Sequence, residues 1–111
     1  MPKLDDTARL RHMLIAARKA RDFAAGRKHK DLESDELLAH GFVRLLEIVG
    51  EAASRISPQR RKELRDIPWP LITGMRNRLV HGYDTVDLDV LWKTIEHDLP
   101  PLIEALEKAL A

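Results

Sequence analysis

Residues 38–56 read LAHGFVRLLEIVGEAASRI, and the reading of this stretch decides the fold. Leu38, Phe42, Leu45, Leu46, Val49, Ala52, Ala53 and Ile56 recur every three or four positions. That period keeps them on one face of a helix for five turns. Ser34 ahead of the stretch, followed by Asp35 and Glu36, reads as its N-cap and acidic first turn. Gly41 and Gly50 each cost about 1 kcal/mol relative to alanine in a helix interior. The expected return is the close approach of another helix or of a second subunit. This should be the longest helix of the chain.

Upstream, Asp5, Asp6 and Thr7 open a helix whose buried stripe is Leu10, Met13, Leu14, Ala17, Ala20 and Ala24, and Gly26 ends it. Arg27-Lys28-His29-Lys30 then reads as a basic loop. Downstream, Ser57-Pro58 is an N-cap followed by a first-turn proline and starts a short polar helix over 59–65. Pro68-Trp69-Pro70 breaks the chain, with Trp69 as a packing anchor. A turn of Asp84, Thr85 and Val86 leads to a cap at Asp87. Leu88, Leu91, Trp92, Ile95, Leu99, Leu102, Ile103, Leu106 and Leu110 carry one apolar period through Pro100-Pro101. Proline removes a helix hydrogen bond and clashes with the preceding turn, so a kink or restart is expected near Asp98. No segment reads as a strand. The expected architecture is all-α, a four- to five-helix up-and-down bundle in one domain spanning 1–111.

Composition narrows the function classes. The chain has 111 residues, 44% hydrophobic and 33% charged, and no cysteine. Disulfide frameworks, thiolate nucleophiles and cysteine zinc sites are excluded. No apolar run approaches the ~20 residues that span a bilayer, and no apolar leader block opens the chain. A soluble cytoplasmic protein is the expectation. The net charge of +1 conceals an uneven spread: +6 over 1–30 and +4 over 58–83, against −4 over 31–57 and −5 over 84–111. A basic face attracts polyanions by counterion release whatever the global charge. The alternative is that these are solvated helix faces paired with acidic neighbours.

The chemistry concentrates in Met75-Arg76-Asn77-Arg78-Leu79-Val80-His81-Gly82-Tyr83. Leu71, Ile72, Met75 and Leu79 give this segment a buried helical face. Gly82 sits where a left-handed C-cap falls. That ending predicts His81 in the last helical turn, where the helix dipole favours imidazolium. Histidine serves as base or acid near neutral pH. Arginine presents a fixed fork of donors matched to phosphate oxygens. In a continuing helix Arg76 and His81 would lie about 140° apart. The five histidines (His12, His29, His40, His81 and His97) show no metal-ligand spacing with a helper carboxylate, and no metal is expected. Structural alternatives stand beside each assignment. His81 could cap helix carbonyls, Arg76 could pair with Glu51 or another acid, and Tyr83 could be a half-buried aromatic.

The spacing Arg76-x4-His81-x-Tyr83 resembles the signature of the HEPN superfamily, and more closely its HepT-like toxin branch, which is paired with minimal nucleotidyltransferase antitoxins. Gly50-Glu51-Ala52-Ala53, Ile67-Pro68-Trp69, Asp87-Leu88 with Trp92, and Asp98-Leu99-Pro100 also resemble that branch, in the same order. The likeness covers residues 5–110. It implies a homodimeric helical bundle and a metal-independent, cofactor-free ribonuclease acting on tRNA or mRNA in a toxin–antitoxin module. On this basis Arg76 and His81 are the catalytic pair, and Tyr83 accepts AMP from the nucleotidyltransferase. Asn77 would orient substrate or the motif backbone, Arg78 would contact phosphate, and Glu51 would stand near the site. The rival expectation is a non-catalytic nucleotide-binding or docking partner of a nucleotidyltransferase, the antitoxin member included. A third is a purely structural helical dimer.

Overall fold

The computed structural model describes residues 5–81 and 85–111. The fold is all-α. Three long helices carry the core: α1 (Asp6–Ala24), α3 (Glu36–Ser54) and α8 (Leu99–Leu110). Between them run the short helices α2 (His29–Ser34), α4 (Pro58–Glu63), α5 (Trp69–Thr73), α6 (Met75–Leu79) and α7 (Leu88–Lys93). Helix α1 packs on both α3 and α8, and α5 and α6 lie against α3. Leu10, Met13, Phe42, Leu46, Val49, Met75, Leu79, Leu91, Leu99 and Leu106 are fully enclosed. Each large apolar side chain so buried contributes roughly 1.5–3 kcal/mol. Helices α1 and α3 are equally long, at 19 residues each.

Local chemistry sets the helix ends. Asp5 accepts from the Ala8 N–H at 2.7 Å and starts α1, while Gly26, at φ 78°, turns the chain after it. Arg27–Lys30 is not all loop. Lys28 N–H donates to Asp31 Oδ2 at 2.7 Å, and the chain winds into α2 from His29 onward. Ser34 therefore ends α2, and the cap of α3 is Asp35, whose carboxylate accepts from Leu38 N–H at 3.0 Å. Ser57 caps α4 by accepting from Arg60 N–H at 3.2 Å, with Pro58 in the first turn. Near Asp98 the helical path changes its winding without a break. Thr94–Asp98 forms one π-helical turn between α7 and α8, and Pro100 and Pro101 follow it in the first turn of α8.

Gly50 explains its own place in α3. A Cβ there would come within 3.2 Å of the Ile72 carbonyl oxygen, so α5 can lie directly on the α3 backbone. At Gly41 no atom lies within 4 Å of that position. Trp69 is buried, and its indole N–H donates to the carbonyls of Arg61 at 3.2 Å and Leu64 at 3.1 Å. The Arg61 guanidinium stands 5.6 Å over its ring.

Asp6 fastens the start of α1 to the start of α4. It accepts from Ser57 Oγ at 2.6 Å and from Ser57 N–H at 3.0 Å. These bonds hold its carboxyl below the ordinary value of 3.8. A depressed carboxyl adds stability that is fully present above its unfolded pKa and is lost as pH falls through the folded one. The melting temperature is expected to hold through pH 6–5 and to fall below about pH 4. Asp6→Asn should be less stable at pH 6 and show a shallower acid decline in thermal melts. An unchanged decline would remove Asp6 as a contributor.

Candidate functional site

The motif segment does not run as one helix. It breaks at Gly74 between α5 and α6, and α6 ends at Leu79. Val80 is extended, at φ −119° and ψ 122°, and pairs with Val86 while His81 pairs with Thr85. The result is a two-residue antiparallel ladder, β1 (Val80–His81) and β2 (Thr85–Val86). Two expectations are thereby corrected. A strand pair exists, and His81 lies beyond the helix, not in its last turn. The cause is pairing of β-branched residues across the ladder. Val80 and Val86 are half-buried on one side, and His81 and Thr85 are exposed on the other. The bond from Asp87 N–H to Leu79 O, 2.8 Å, closes the base of the ladder. The expected cap at Gly82, the acceptor Tyr83 and the turn residue Asp84 lie outside the described residues.

Arg76 leaves α6 into solvent, with its side chain 57% exposed, and its Nε–H donates to Glu47 Oε2 at 2.7 Å. Glu47 is the hub. Its other carboxylate oxygen accepts from Arg44 at 3.0 Å. The Arg76 hydrogen bond is the chief reason its carboxyl sits below the ordinary value of 4.5. A pair this exposed adds well under 1 kcal/mol to stability. Its consequence is geometric: one edge of the guanidinium is fixed on α3.

His81 is 61% exposed, and its Nε2 lies 3.5 Å from Asp87 Oδ2. Asp87 also caps α7, accepting from Val90 N–H at 3.0 Å. That backbone bond is the main reason its carboxyl is lowered, with His81 adding to it. The carboxylate is placed to orient the imidazole ring.

The remaining site residues divide. Asn77 is exposed on α6. Arg78 turns inward: it donates to the Leu71 carbonyl at 2.9 Å, and its Nε is buried with no hydrogen-bond partner among the described residues. It braces the break at Gly74. Glu51 is exposed one turn beyond Glu47 on α3, and the partner of Arg76 is Glu47. Sequence reasoning missed Glu47, Arg44 and the pairing role of Asp87. The one signal for Glu47 was the option that Arg76 pairs with another acid. Among the described residues no group of three or more His, Asp or Glu is arranged to hold a metal ion, and no helix is long and apolar enough to cross a membrane.

An exposed guanidinium and an exposed imidazole, each beside its own carboxylate, thus stand on a small helical scaffold. The chain belongs to the ribonuclease HepT-like family, whose profile matches residues 13–109. It is 33% identical over 101 residues to a Caldanaerobacter subterraneus protein whose name proposes an RNase, covering 91% of this chain and 90% of that one. It is 38% identical over 79 residues to a Thermococcus cleftensis protein named as a probable ribonuclease HepT, covering 71% of this chain and 72% of the other. A Methanocaldococcus jannaschii protein, also named with RNase activity in view, is 30% identical over 107 residues, 96% and 98% of the two chains. No solved structure matches.

Proposed function

We propose that this chain is a ribonuclease that cleaves RNA without a metal cofactor, with Arg76 and His81 at the reacting phosphate. The observation that carries the reading is the pair of solvent-exposed, carboxylate-oriented side chains, 57% and 61% exposed. Family membership supports it. The ribose 2′-oxygen attacks the adjacent phosphorus while the bond from phosphorus to the 5′-oxygen breaks. One proton leaves the 2′-hydroxyl and one reaches the departing 5′-oxygen. His81 performs one of these transfers, and Arg76 donates to the phosphate oxygens that gain charge.

The motif segment supplies one imidazole, His81, where the reaction uses two proton-transfer groups. A two-fold dimer supplies the second, since it duplicates every residue. The substrate on this reading is tRNA or mRNA, and the biological setting is a toxin–antitoxin pair.

Tyr83 follows His81 by two positions, and in the resembling branch that tyrosine accepts AMP. Transfer joins the phenolic oxygen to the α-phosphorus of ATP and releases pyrophosphate. The added negative charge, two positions along the chain from His81, repels an incoming RNA phosphate. The test pairs two measurements. Purified chain should cut labelled tRNA equally with and without chelator. After incubation with a cognate nucleotidyltransferase and ATP, its mass should rise by AMP units and cutting should stop. Tyr83→Phe should cut, gain no mass and escape inhibition. Chelator-sensitive cutting would overturn the metal-free chemistry, and mass gain in Tyr83→Phe would overturn the acceptor assignment.

A further inference from the structure

We propose that the cleft between α1 and α3, lined by Arg9, His12, Arg44, Glu51 and Arg55, holds the phosphate backbone of the RNA strand beside the scissile bond. The proposal rests on the ribonuclease reading and extends it to substrate positioning. The cleft has a volume of about 330 Å³ and a floor of Ile48 and Ala52. Positions 44, 48, 51, 52 and 55 share one face of α3 and its C-cap, a run of roughly 16 Å at the helical rise. Three guanidinium groups face one carboxylate in the lining.

Two features make this lining fit for an anion. Arg9 is preorganised: its Nη1 donates to the Arg55 carbonyl at 2.7 Å, which leaves the rest of its fork for another acceptor. The C-terminal end of α3, ordinarily repulsive to phosphate, is covered by cations. Arg9 takes the Arg55 carbonyl, and Arg61 takes the Ala53 carbonyl at 2.9 Å. Arg55 and His12 are exposed and make no ion pair among the described residues.

The cleft is tied to Arg76 through a shared carboxylate. Arg44, on its rim, shares Glu47 with Arg76 through bonds of 3.0 and 2.7 Å. A strand whose scissile phosphate meets Arg76 therefore passes directly onto this face. Fixed forks of arginine suit phosphate oxygens, and a sugar or base edge can rest on Ile48 and Ala52. A protein partner with an acidic segment is the competing occupant, and the test separates the two.

Binding of a fluorescein-labelled single-stranded RNA is measured by anisotropy across a salt series in the His81→Ala background, which keeps the RNA intact. Each phosphate contact contributes about 0.7 to the slope of log K against log salt for a single strand. Arg55→Ala should lower that slope by about this amount and weaken binding several-fold, and Arg55→Glu should weaken it further. With His81 present, Arg55→Ala should raise KM more than it lowers kcat. Circular dichroism of both variants should match the parent. An unchanged slope with unchanged KM overturns the cleft assignment. So does an Arg55→Glu chain that binds RNA normally but loses self-association or capture of the nucleotidyltransferase. If His81→Ala itself still cuts RNA, the assignment of His81 fails, and if the parent chain cuts none the ribonuclease reading fails, whatever Arg55 does. If His81→Ala is inert while Arg55→Ala is unchanged, only the cleft fails.

Discussion

His81→Ala is expected to lower RNA cleavage by about 10²–10⁴-fold, the usual worth of a positioned proton-transfer group, while leaving the fold intact. The second half follows from the surroundings of the ring. It is exposed, and its side-chain contact is the 3.5 Å approach to Asp87. Asp87 keeps its hydrogen bond to Val90 N–H when the imidazole is gone, so α7 stays capped. Melting temperature should move little, and single-turnover cleavage of labelled RNA should collapse. Retention of the parental rate would falsify the assignment of His81. Full loss together with a large drop in melting temperature would show instead a structural histidine.

Leu79→Ala should produce the largest loss of stability near the site. The side chain is fully enclosed, and truncating a buried leucine costs about 2–5 kcal/mol. A domain of this size has only about 5–15 kcal/mol in total. The same residue ends α6, and its carbonyl accepts from Asp87 N–H at 2.8 Å. A cavity at Leu79 therefore loosens the base of the ladder that carries His81. Urea denaturation should show the stability loss, and cleavage should fall at temperatures well below the melt. A loss under about 1 kcal/mol would mean that the core does not anchor this segment.

The helical class was plain in the sequence because its signals are local. Apolar spacing in 38–56 and the caps at Asp5, Ser57 and Asp87 each act within one or two turns. Ser34 lost to Asp35 because the bond from Lys28 N–H to Asp31 winds 29–34 first and shifts the next start by one. The strand pair was not legible. Val80 is as acceptable at the end of a helix as in a strand, and the choice is made by Val86, six positions away. Strand preference depends on such cross-chain neighbours. For the site, residue types pointed to Arg76 and His81 as an exposed cation and an exposed imidazole, and both are exposed. Their carboxylate partners could not be chosen. Glu47 and Glu51 share a face of α3, and only the seating of α5 and α6 on that helix selects Glu47.

Asp87 serves two masters with its two oxygens, one on the first turn of α7 and one toward the imidazole. Any ligand or partner that tilts α7 must therefore move the acidic neighbour of His81 as well, without touching the ring. The hairpin base is thus a mechanical linkage between the α7 surface and the exposed imidazole.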